Sequence, residues 1–369
     1  MSKAAELANL IGNINAGGGG VNRNVIINGA MNVAQRSTSE TGKGDADGYF
    51  TVDRFAINVG ATSAGRFTMS QDSSAPSGFA NSLKLDCTTA DTSIASGEIL
   101  QLIQKIEGQN LQAFAKGTSD AKPFAVSFYV KGNASATYVC ELFDTDNSRQ
   151  ISKTFNVTTD WTRVELTFPA DTTGTFDDDN ALSLELAIIL HGGSDFTSGT
   201  LNSSGFASNT NANRAVGISS FFDSTDRTFF ITGVQLEVGQ NPTEFEREPF
   251  ERTLTKCYRY FQAHVSGDLF TGFFVGTGLS STRVKTDGFQ YFETMRTAPS
   301  LTVSGAGDFS IRSATNSDIG EASSIALSRP GTQFTSILVD RGSGVNSGEI
   351  HSVIADDTST ATLFFSSEL

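Results

Sequence analysis

The chain has 369 residues, of which 38% are hydrophobic and 18% charged, with a formal net charge of −14. This length suits two domains better than one. The acidic balance, without any run of Lys and Arg, predicts a protein that binds neither nucleic acid nor an anionic membrane surface. The many Gly, Ser, Thr, Asn and Asp residues and the 29 Phe residues are typical of short strands that pack on apolar cores and are joined by polar turns.

The N-terminal segment predicts a short amphipathic helix. Leu7, Leu10, Ile11 and Ile14 follow an i, i+3, i+4, i+7 pattern, which places one apolar stripe on a helix over residues 3–14. The run "AGGGG" at 16–20 then supplies a flexible hinge. We therefore expect residues 1–23 to anchor the protein, with those four side chains docking on a partner. A frayed terminus is the alternative.

The same segment shows no targeting signal. It lacks the basic start and apolar core of a signal peptide, and no apolar run in the chain approaches the roughly 20 residues of a membrane helix. We therefore predict a protein made in the cytoplasm, with no membrane insertion. The three cysteines are far apart and are expected to be buried and reduced. They are Cys87, Cys140 and Cys257.

Residues 24–247 show the period-two alternation of β-strands. Apolar side chains occupy every second position in "RFAINV", "SLKLDC", "FAVSFYV", "TYVCELF", "TRVELTF", "ALSLELAIIL" and "GVQLEV". Many such segments with polar turns between them predict an antiparallel β-sandwich or jelly roll. The segment "GEILQLIQKIEG" at 97–108 fits either a helix or a strand that covers the core.

A change of pattern follows this β-region. "GQNP" at 239–242 ends a strand, and "FERTLTKCYRYF" at 250–261 places apolar residues at helical spacing. We predict a connector helix within residues 248–264, and a smaller, distal β-domain over residues 265–369. Phe364 and Phe365 lie near the C-terminus, so the last strand is expected to be paired. The predicted fold class is mainly β, with two β-domains and two short helices.

Motifs for nucleophilic or metal catalysis are missing from the sequence. There is no GxSxG elbow, and His191, His264 and His351 each stand alone, without a partner at metal-ligand spacing. We therefore expect a non-enzymatic protein without a cofactor. Carboxylates are plentiful, and glycoside hydrolysis needs only two of them at a set separation. A polysaccharide depolymerase with a carboxylate pair is accordingly an alternative.

Two further features have both a structural and a functional interpretation. Asp177, Asp178 and Asp179 offer clustered oxygen ligands for Ca²⁺, as do "GDADG" at 44–48 and "DTDN" at 144–147, but an exposed acidic turn is the favoured interpretation. Trp161 is the only tryptophan and opens a strand. It is a candidate platform for a sugar ring, although filling the edge of a core is favoured.

Several segments in order resemble a family of tail-fibre and appendage proteins of tailed bacteriophages. They are "NVIINGAMNVAQRSTS" (24–39), "GYFTVDRFAI" (48–57), "DWTRVELTFPADTTG" (160–174), "FFITGVQLEVGQNPTEFEREPFERTLTKCYRYFQ" (229–262) and "MRTAPSLTVSG" (295–305). The resemblance implies a carbohydrate-binding-like jelly roll in a virion appendage that is commonly homotrimeric and contacts the host surface. It implies no shared catalytic motif.

The resemblance makes a tail fibre the leading functional hypothesis. The N-terminus would attach to other virion tail proteins, and the β-domains would recognise a glycan on the host surface. A homotrimer would also bury apolar surface between subunits, and repeated weak sugar contacts would add up to firm adhesion. The alternatives are a head-decorating fibre and a collar structural protein, which would place the chain elsewhere on the particle.

Overall fold

The structure is a computed structural model that describes residues 3–4, 22–61, 63–313, 315 and 317–369. The predicted N-terminal helix and glycine hinge, including Leu7, Leu10, Ile11 and Ile14, lie outside the described residues. The chain divides into two compact units, a first unit over Met1–Thr253 with Leu369 and a second unit over Leu254–Glu368. Each unit is described by itself below.

The first unit is built almost entirely from strands. Its strands are β1 (Ser39–Lys43), β2 (Gly48–Tyr49), β3 (Ala56–Gly60), β4 (Arg66–Asp72), β5 (Ser82–Thr89), β6 (Ile99–Glu107), β7 (Phe124–Gly132), β8 (Ala136–Asp144), β9 (Arg149–Val157), β10 (Thr162–Phe168), β11 (Leu182–Gly192), β12 (Ala207–Ser208) and β13 (Thr228–Val238). A one-turn helix, α1, covers Ser194–Thr197. Short 3₁₀ turns lie at Gly108–Asn110, Gln112–Phe114, Asn211–Asn213 and Phe221–Asp223.

These strands form two antiparallel sheets. The six-stranded sheet has the order β1-β4-β5-β13-β7-β10, and the seven-stranded sheet has the order β12-β9-β8-β11-β6-β3-β2. Strands that are neighbours in a sheet are often distant in sequence, as in a jelly roll. The predicted jelly-roll sandwich is thus confirmed. The ambiguous segment at 97–108 is a strand, β6, paired with β3 and β11.

The core lies between the two sheets and is filled by the alternating side chains that the sequence indicated. Leu83, Leu85 and Phe229 on one sheet and Leu186 on the other are at most 1% exposed and belong to one apolar cluster. Phe114 and Phe124 stack within it, with ring centroids 4.2 Å apart. Burial of each such side chain contributes about 1.5–3 kcal/mol, so this core stabilises the sandwich.

The segment that follows Asn22 packs against the C-terminal half of β13. The side chain of Asn24 donates to the carbonyl of Val234 and accepts from the amide of Leu236, at 3.1 and 3.0 Å. Glu246 accepts from the amide of Asn24 at 2.8 Å. A Cβ on Gly29 would lie 2.1 Å from the Val234 carbonyl oxygen, so only glycine fits. The charged run 244–248 therefore closes the sandwich as well as leading out of it.

The connector helix α2 covers Phe250–Tyr258, which is shorter than the predicted 248–264. Phe261 is the last residue of the predicted helical pattern but begins a strand in the structure. Phe250 is half exposed. The helix ends because the chain turns at Tyr260, whose amide bonds the Cys257 carbonyl at 2.9 Å. Among the described residues, no helix has the length and apolarity needed to cross a membrane.

The second unit is also a β-structure. Its strands are β14 (Phe261–Val265), β15 (Gly272–Ser280), β16 (Arg283–Gln290), β17 (Ser300–Val303), β18 (Phe309–Ser313), β19 (Asp318–Glu321), β20 (Ser324–Leu327), β21 (Phe334–Asp340), β22 (Ile350–Ala355) and β23 (Thr362–Ser366), with a 3₁₀ turn at Ala306–Asp308. They form sheets of order β14-β23-β17 and β19-β18-β22-β15-β16-β21-β20. The last strand is paired on both sides, as predicted.

Candidate functional site

The outer face of the seven-stranded sheet is only partly covered. In β11, Leu186 and Ile188 face the core while Ala187 and Ile189 face outward. Near Ile189 the loop after β11 folds back over the sheet, because Phe196 and other apolar side chains of that loop pack on it. Around Ala187 a second, smaller apolar cluster lies on this face, and its members Ala56, Ile103 and Ala187 are at most 4% exposed. The candidate site lies beside this cluster, next to Tyr49.

A groove with a volume of about 230 Å³ lies beside this cluster. Ala56, Ile103 and Tyr49 belong both to the cluster and to the lining of the groove. The residues that line it are Asp47, Gly48, Tyr49, Ala56, Ile57, Asn58, Ile103, Lys105 and Glu185.

A fixed ion pair stands beside the groove. Glu141, the cross-strand neighbour of Ala187, is fully buried and accepts two hydrogen bonds from the Arg214 guanidinium, at 2.8 and 2.6 Å. The same guanidinium lies 5.1 Å from the centroid of the Phe143 ring. A bidentate pair that also stacks on an aromatic ring is rigid, so it presents a planar polar surface in one orientation.

An amide pair also lies at the groove. Asn58 lines the groove, and its side-chain amide donates to Gln101 Oε1 at 2.8 Å. Gln101 does not line the groove and is only 2% exposed. The hydrogen bond therefore fixes the orientation of the Asn58 side chain.

Glu185 is the acidic side chain of the groove. Burial raises the pKa of its carboxyl above the ordinary value, while the nearby charge of Lys105 acts in the opposite direction. Its cross-strand neighbours on this face are Lys105 and Phe143. An aromatic ring, an amide, an ammonium and a carboxyl thus line one shallow groove, from Tyr49, Asn58, Lys105 and Glu185. Hydroxyl-rich ligands are held by such groups.

The acidic turns predicted as calcium candidates do not form one site. Asp177, Asp178 and Asp179 are exposed, and Asp179 accepts from the amide of Ala181 at 2.8 Å. No group of three or more His, Cys, Asp or Glu side chains among the described residues has a geometry that would hold a metal ion.

The "DTDN" turn is not exposed at its first residue, contrary to the favoured interpretation. Asp144 is fully buried and forms an ion pair of 2.5 Å with Lys116, whose ammonium also lies 3.3 Å from Asp171. The ammonium donates to the carbonyls of Thr173 and Gly174 at 2.9 and 2.7 Å. Two carboxylates and two carbonyls therefore enclose an internal cation. We call this group the lysine cage.

His191 is the penultimate residue of β11, but it does not stand alone in the fold as it does in the sequence. Its two ring nitrogens lie 2.8 Å from Ser220 Oγ and 3.0 Å from Glu98 Oε2, and its side chain is fully buried. The hydroxyl of Ser220 accepts from the amide of Phe222, so this histidine fastens the loop after β11 to the sheet. Sequence reasoning missed this role because the three residues are far apart in the chain.

Trp161 is half-buried, which places it between the two predicted interpretations. Its ring meets Phe230 edge to face, with centroids 6.1 Å apart. Phe230 lies on the outer face of the six-stranded sheet, opposite the core residue Phe229 on the same strand. Trp161 is therefore not part of the groove on the other sheet.

Comparison with known proteins gives structural similarities only. No family model matches the chain, and no curated protein matches it. Among solved structures, a tailspike protein 4 domain of bacteriophage CBA120 matches 58% of this chain with a TM-score of 0.31 and 13% identity. The matched part is 21% of that structure, so the chain spans about a fifth of its length.

Two carbohydrate-binding modules show the same level of similarity. TmCBM61, solved with β-1,4-galactotriose, matches 58% of this chain and 99% of its own length, with a TM-score of 0.31 and 10% identity. A family 11 module from Clostridium thermocellum, solved with a mixed-linked tetrasaccharide, matches 55% of this chain and 97% of its own length, with a TM-score of 0.27 and 11% identity. TM-scores of this size do not indicate which face of a sandwich binds a ligand.

Proposed function

We propose that the first unit binds an uncharged glycan of the host surface in the groove on the seven-stranded sheet. The observation that carries this proposal is the convergence of Tyr49, Asn58 and Glu185 around one groove, with the Asn58 amide held by Gln101. An aromatic ring packs against the C–H face of a sugar, and amides and carboxyls bind its hydroxyls. The groove is shallow, so each site binds weakly and adhesion depends on many copies.

A glycan array with the intact protein, followed by calorimetry with the glycan it selects, tests this proposal. We expect Tyr49→Ala or Asn58→Ala to weaken binding at least about tenfold, equivalent to about 1.4 kcal/mol. Asn209→Ala, at an exposed asparagine of the same unit, is the matched control and should bind like the wild type. Equal affinity of all three variants would disprove the groove as the binding site.

We further propose that copies of the chain associate through the second unit, as the resemblance to homotrimeric appendages suggests. Val275, Leu279 and Ile350 are 59%, 51% and 61% exposed and border one depression. Lys285 and Asp287 border it too, and the Asp287 side chain is 67% exposed. Lys285 and Asp287 pair with each other at 2.7 Å, so the exposed apolar centre is the part of this face that is costly in water, and a second copy of this chain is the partner that we propose to cover it.

The remaining part of the proposal concerns the place of the protein on a virus particle. We propose that residues 1–23 attach the chain to tail proteins, so that the β-domains project outward as a tail fibre. Support comes from the apolar stripe and glycine run in the sequence. A chain without residues 1–20 should fold but fail to enter particles, and its normal incorporation would contradict the anchor. Imaging of labelled particles separates a tail position from a head or collar position.

The depolymerase alternative is favoured by one observation. Burial raises the pKa of Glu185 above its ordinary value, while Glu141 on the same face is paired with Arg214. Two carboxyl groups in different environments are the arrangement that glycosidases use. Incubation with host capsule or lipopolysaccharide and an assay for new reducing ends tests this role. We propose that no reducing ends form, and turnover that Glu185→Gln abolishes would replace adhesion by hydrolysis as the function.

A further inference from the structure

The outer face of the six-stranded sheet carries a row of half-buried aromatic side chains, here called the aromatic stripe. Phe229 and Ile231 are fully buried in the core, so the strand alternation turns Phe230 outward. Trp161 meets Phe230 at 6.1 Å, and Phe79 lies 5.3 Å from Tyr129 and 5.1 Å from Phe245. The members of the stripe are Phe79, Tyr129, Trp161, Phe230 and Phe245.

Cationic side chains lie along this stripe. Lys84 and Lys131 are the two cross-strand neighbours of Phe230, and their ammonium groups lie 5.6 and 6.0 Å from the ring centroid. Farther along, the Arg247 guanidinium lies 4.7 Å from the centroid of Phe79. Strand pairing therefore gathers positive charge that is scattered in the sequence, on the surface of a chain with a net charge of −14.

The two lysines differ in their own partners. Lys84 forms an ion pair of 2.8 Å with Asp86. Lys131 has no ion pair with an acidic side chain in the part of the chain that the structure describes. A cation held beside an aromatic ring and left without a counter-ion attracts an anionic ligand group. Because the rest of the acidic surface repels anions, such a ligand would be directed to the stripe.

We propose that the aromatic stripe binds an acidic saccharide, with a sugar ring packed on Trp161 and its carboxylate or phosphate held by Lys131 and Lys84. The aromatic rings favour a saccharide over a simple anion because they offer apolar surface to the C–H face of a sugar. This site lies on the opposite sheet from the groove. It therefore goes beyond the proposed function and does not depend on it.

The single tryptophan makes the test direct, because Trp161 is the only source of tryptophan emission in the chain. The intact protein is titrated with an oligogalacturonate and, separately, with a neutral cello-oligosaccharide of the same length. We expect the acidic oligosaccharide alone to change the emission. Binding should weaken at least about tenfold when NaCl is raised to about 0.5 M, because added ions screen exposed charges.

Variants identify the residues that act. Lys131→Gln combined with Lys84→Gln should weaken oligogalacturonate binding about tenfold or more, while Lys122→Gln, at a half-buried lysine of the same unit, is the matched control and should not. Circular dichroism confirms that each variant is folded. If the double variant fails to fold, Lys131→Gln alone serves, with a smaller loss expected.

Three results would overturn the proposal: no change in emission with the acidic oligosaccharide, equal binding of the neutral one, or unchanged binding by the lysine variant. Binding of poly-glutamate as strong as that of oligogalacturonate would also overturn the proposal, because the site would then recognise negative charge alone and not a saccharide. Tyr49→Ala, which tests the groove, should leave oligogalacturonate binding intact, so failure at one sheet is distinguished from failure at the other.

Discussion

The two units are both β-structures with few charged residues, but they differ in how their polar and apolar side chains are placed. In the first unit, polar side chains are held by ion pairs and hydrogen bonds, as in Glu141 with Arg214 and in the buried lysine cage. The second unit instead exposes aliphatic and aromatic side chains. Eight of the ten large apolar side chains exposed among the described residues belong to it. They are Val265, Leu269, Phe270, Val275, Leu279, Phe292, Phe334 and Ile350.

This difference separates the two units by role. A surface that binds sugars needs polar groups held in fixed directions, and buried partners hold them there. A surface that exposes this much apolar area is costly in water unless another protein covers it. We therefore propose recognition as the role of the first unit and assembly as that of the second, and the predictions below test how the two units differ.

The largest effect is expected from Lys116→Met. Its ammonium is fully buried between Asp144 and Asp171. Asp171 keeps its ion pair with Arg149 at 2.9 Å, but removal of the ammonium leaves the buried Asp144 carboxylate without a cation, which costs about 3–5 kcal/mol. Calorimetry should show a lower melting temperature for the first unit only. Because the cage consists of oxygen ligands that suit Ca²⁺, millimolar calcium should restore part of the loss in the variant and change the wild type little.

Lys122→Met is the control for that experiment, since Lys122 is only half-buried and has no ion pair with an acidic side chain among the described residues. A fall of the same size in this variant would show that loss of any lysine destabilises the sandwich. A lower melting temperature of the second unit in Lys116→Met would contradict the independence of the two units.

A smaller effect is expected from Val275→Asp combined with Ile350→Asp. If copies associate through this face, two buried charges at its centre should raise the dissociation constant at least about a hundredfold, equivalent to about 2.8 kcal/mol. Sedimentation should show an oligomer for the wild type and monomers for the variant. Ile94→Asp, at an exposed apolar residue of the first unit, is the matched control. A monomeric wild type, or an oligomeric double variant, would end the assembly proposal.

Much of the fold could be predicted from the sequence because polar turns separate its alternating strands. Period-two alternation identified Leu83, Leu85 and Cys87 as core residues, and all three are buried. The segment at 97–108 was ambiguous because both faces of β6 are covered, so that Ile99 and Ile103 are as buried as Leu100 on the other face. Alternation loses its signal wherever both faces of a strand are apolar.

The candidate sites were less accessible to sequence reasoning. The groove joins Tyr49, Asn58 and Glu185, which lie on three different strands, and only the order of strands in the sheet brings them together. The charge of the stripe was missed for the same reason, because Lys84 and Lys131 are not a cluster in sequence. A short alternating pattern specifies which face a side chain takes, but not which strand lies beside it.

The smallest effect concerns pH and the second unit. The ring of His264 stacks on Phe292 with centroids 3.8 Å apart, and burial lowers its pKa to about 4. The unfolded chain takes up a proton near the ordinary pKa of about 6.5, so stability is fully present above that value and falls as the pH drops towards 4. We expect the second unit to lose about 1–3 kcal/mol across this window by linkage, and His264→Phe to remove most of that dependence. Urea unfolding at pH 7 and at pH 4.5 measures it, with His351→Phe as the comparison. A wild-type profile that His264→Phe leaves unchanged would mean that carboxyl groups, and not this histidine, control the acid sensitivity of the second unit.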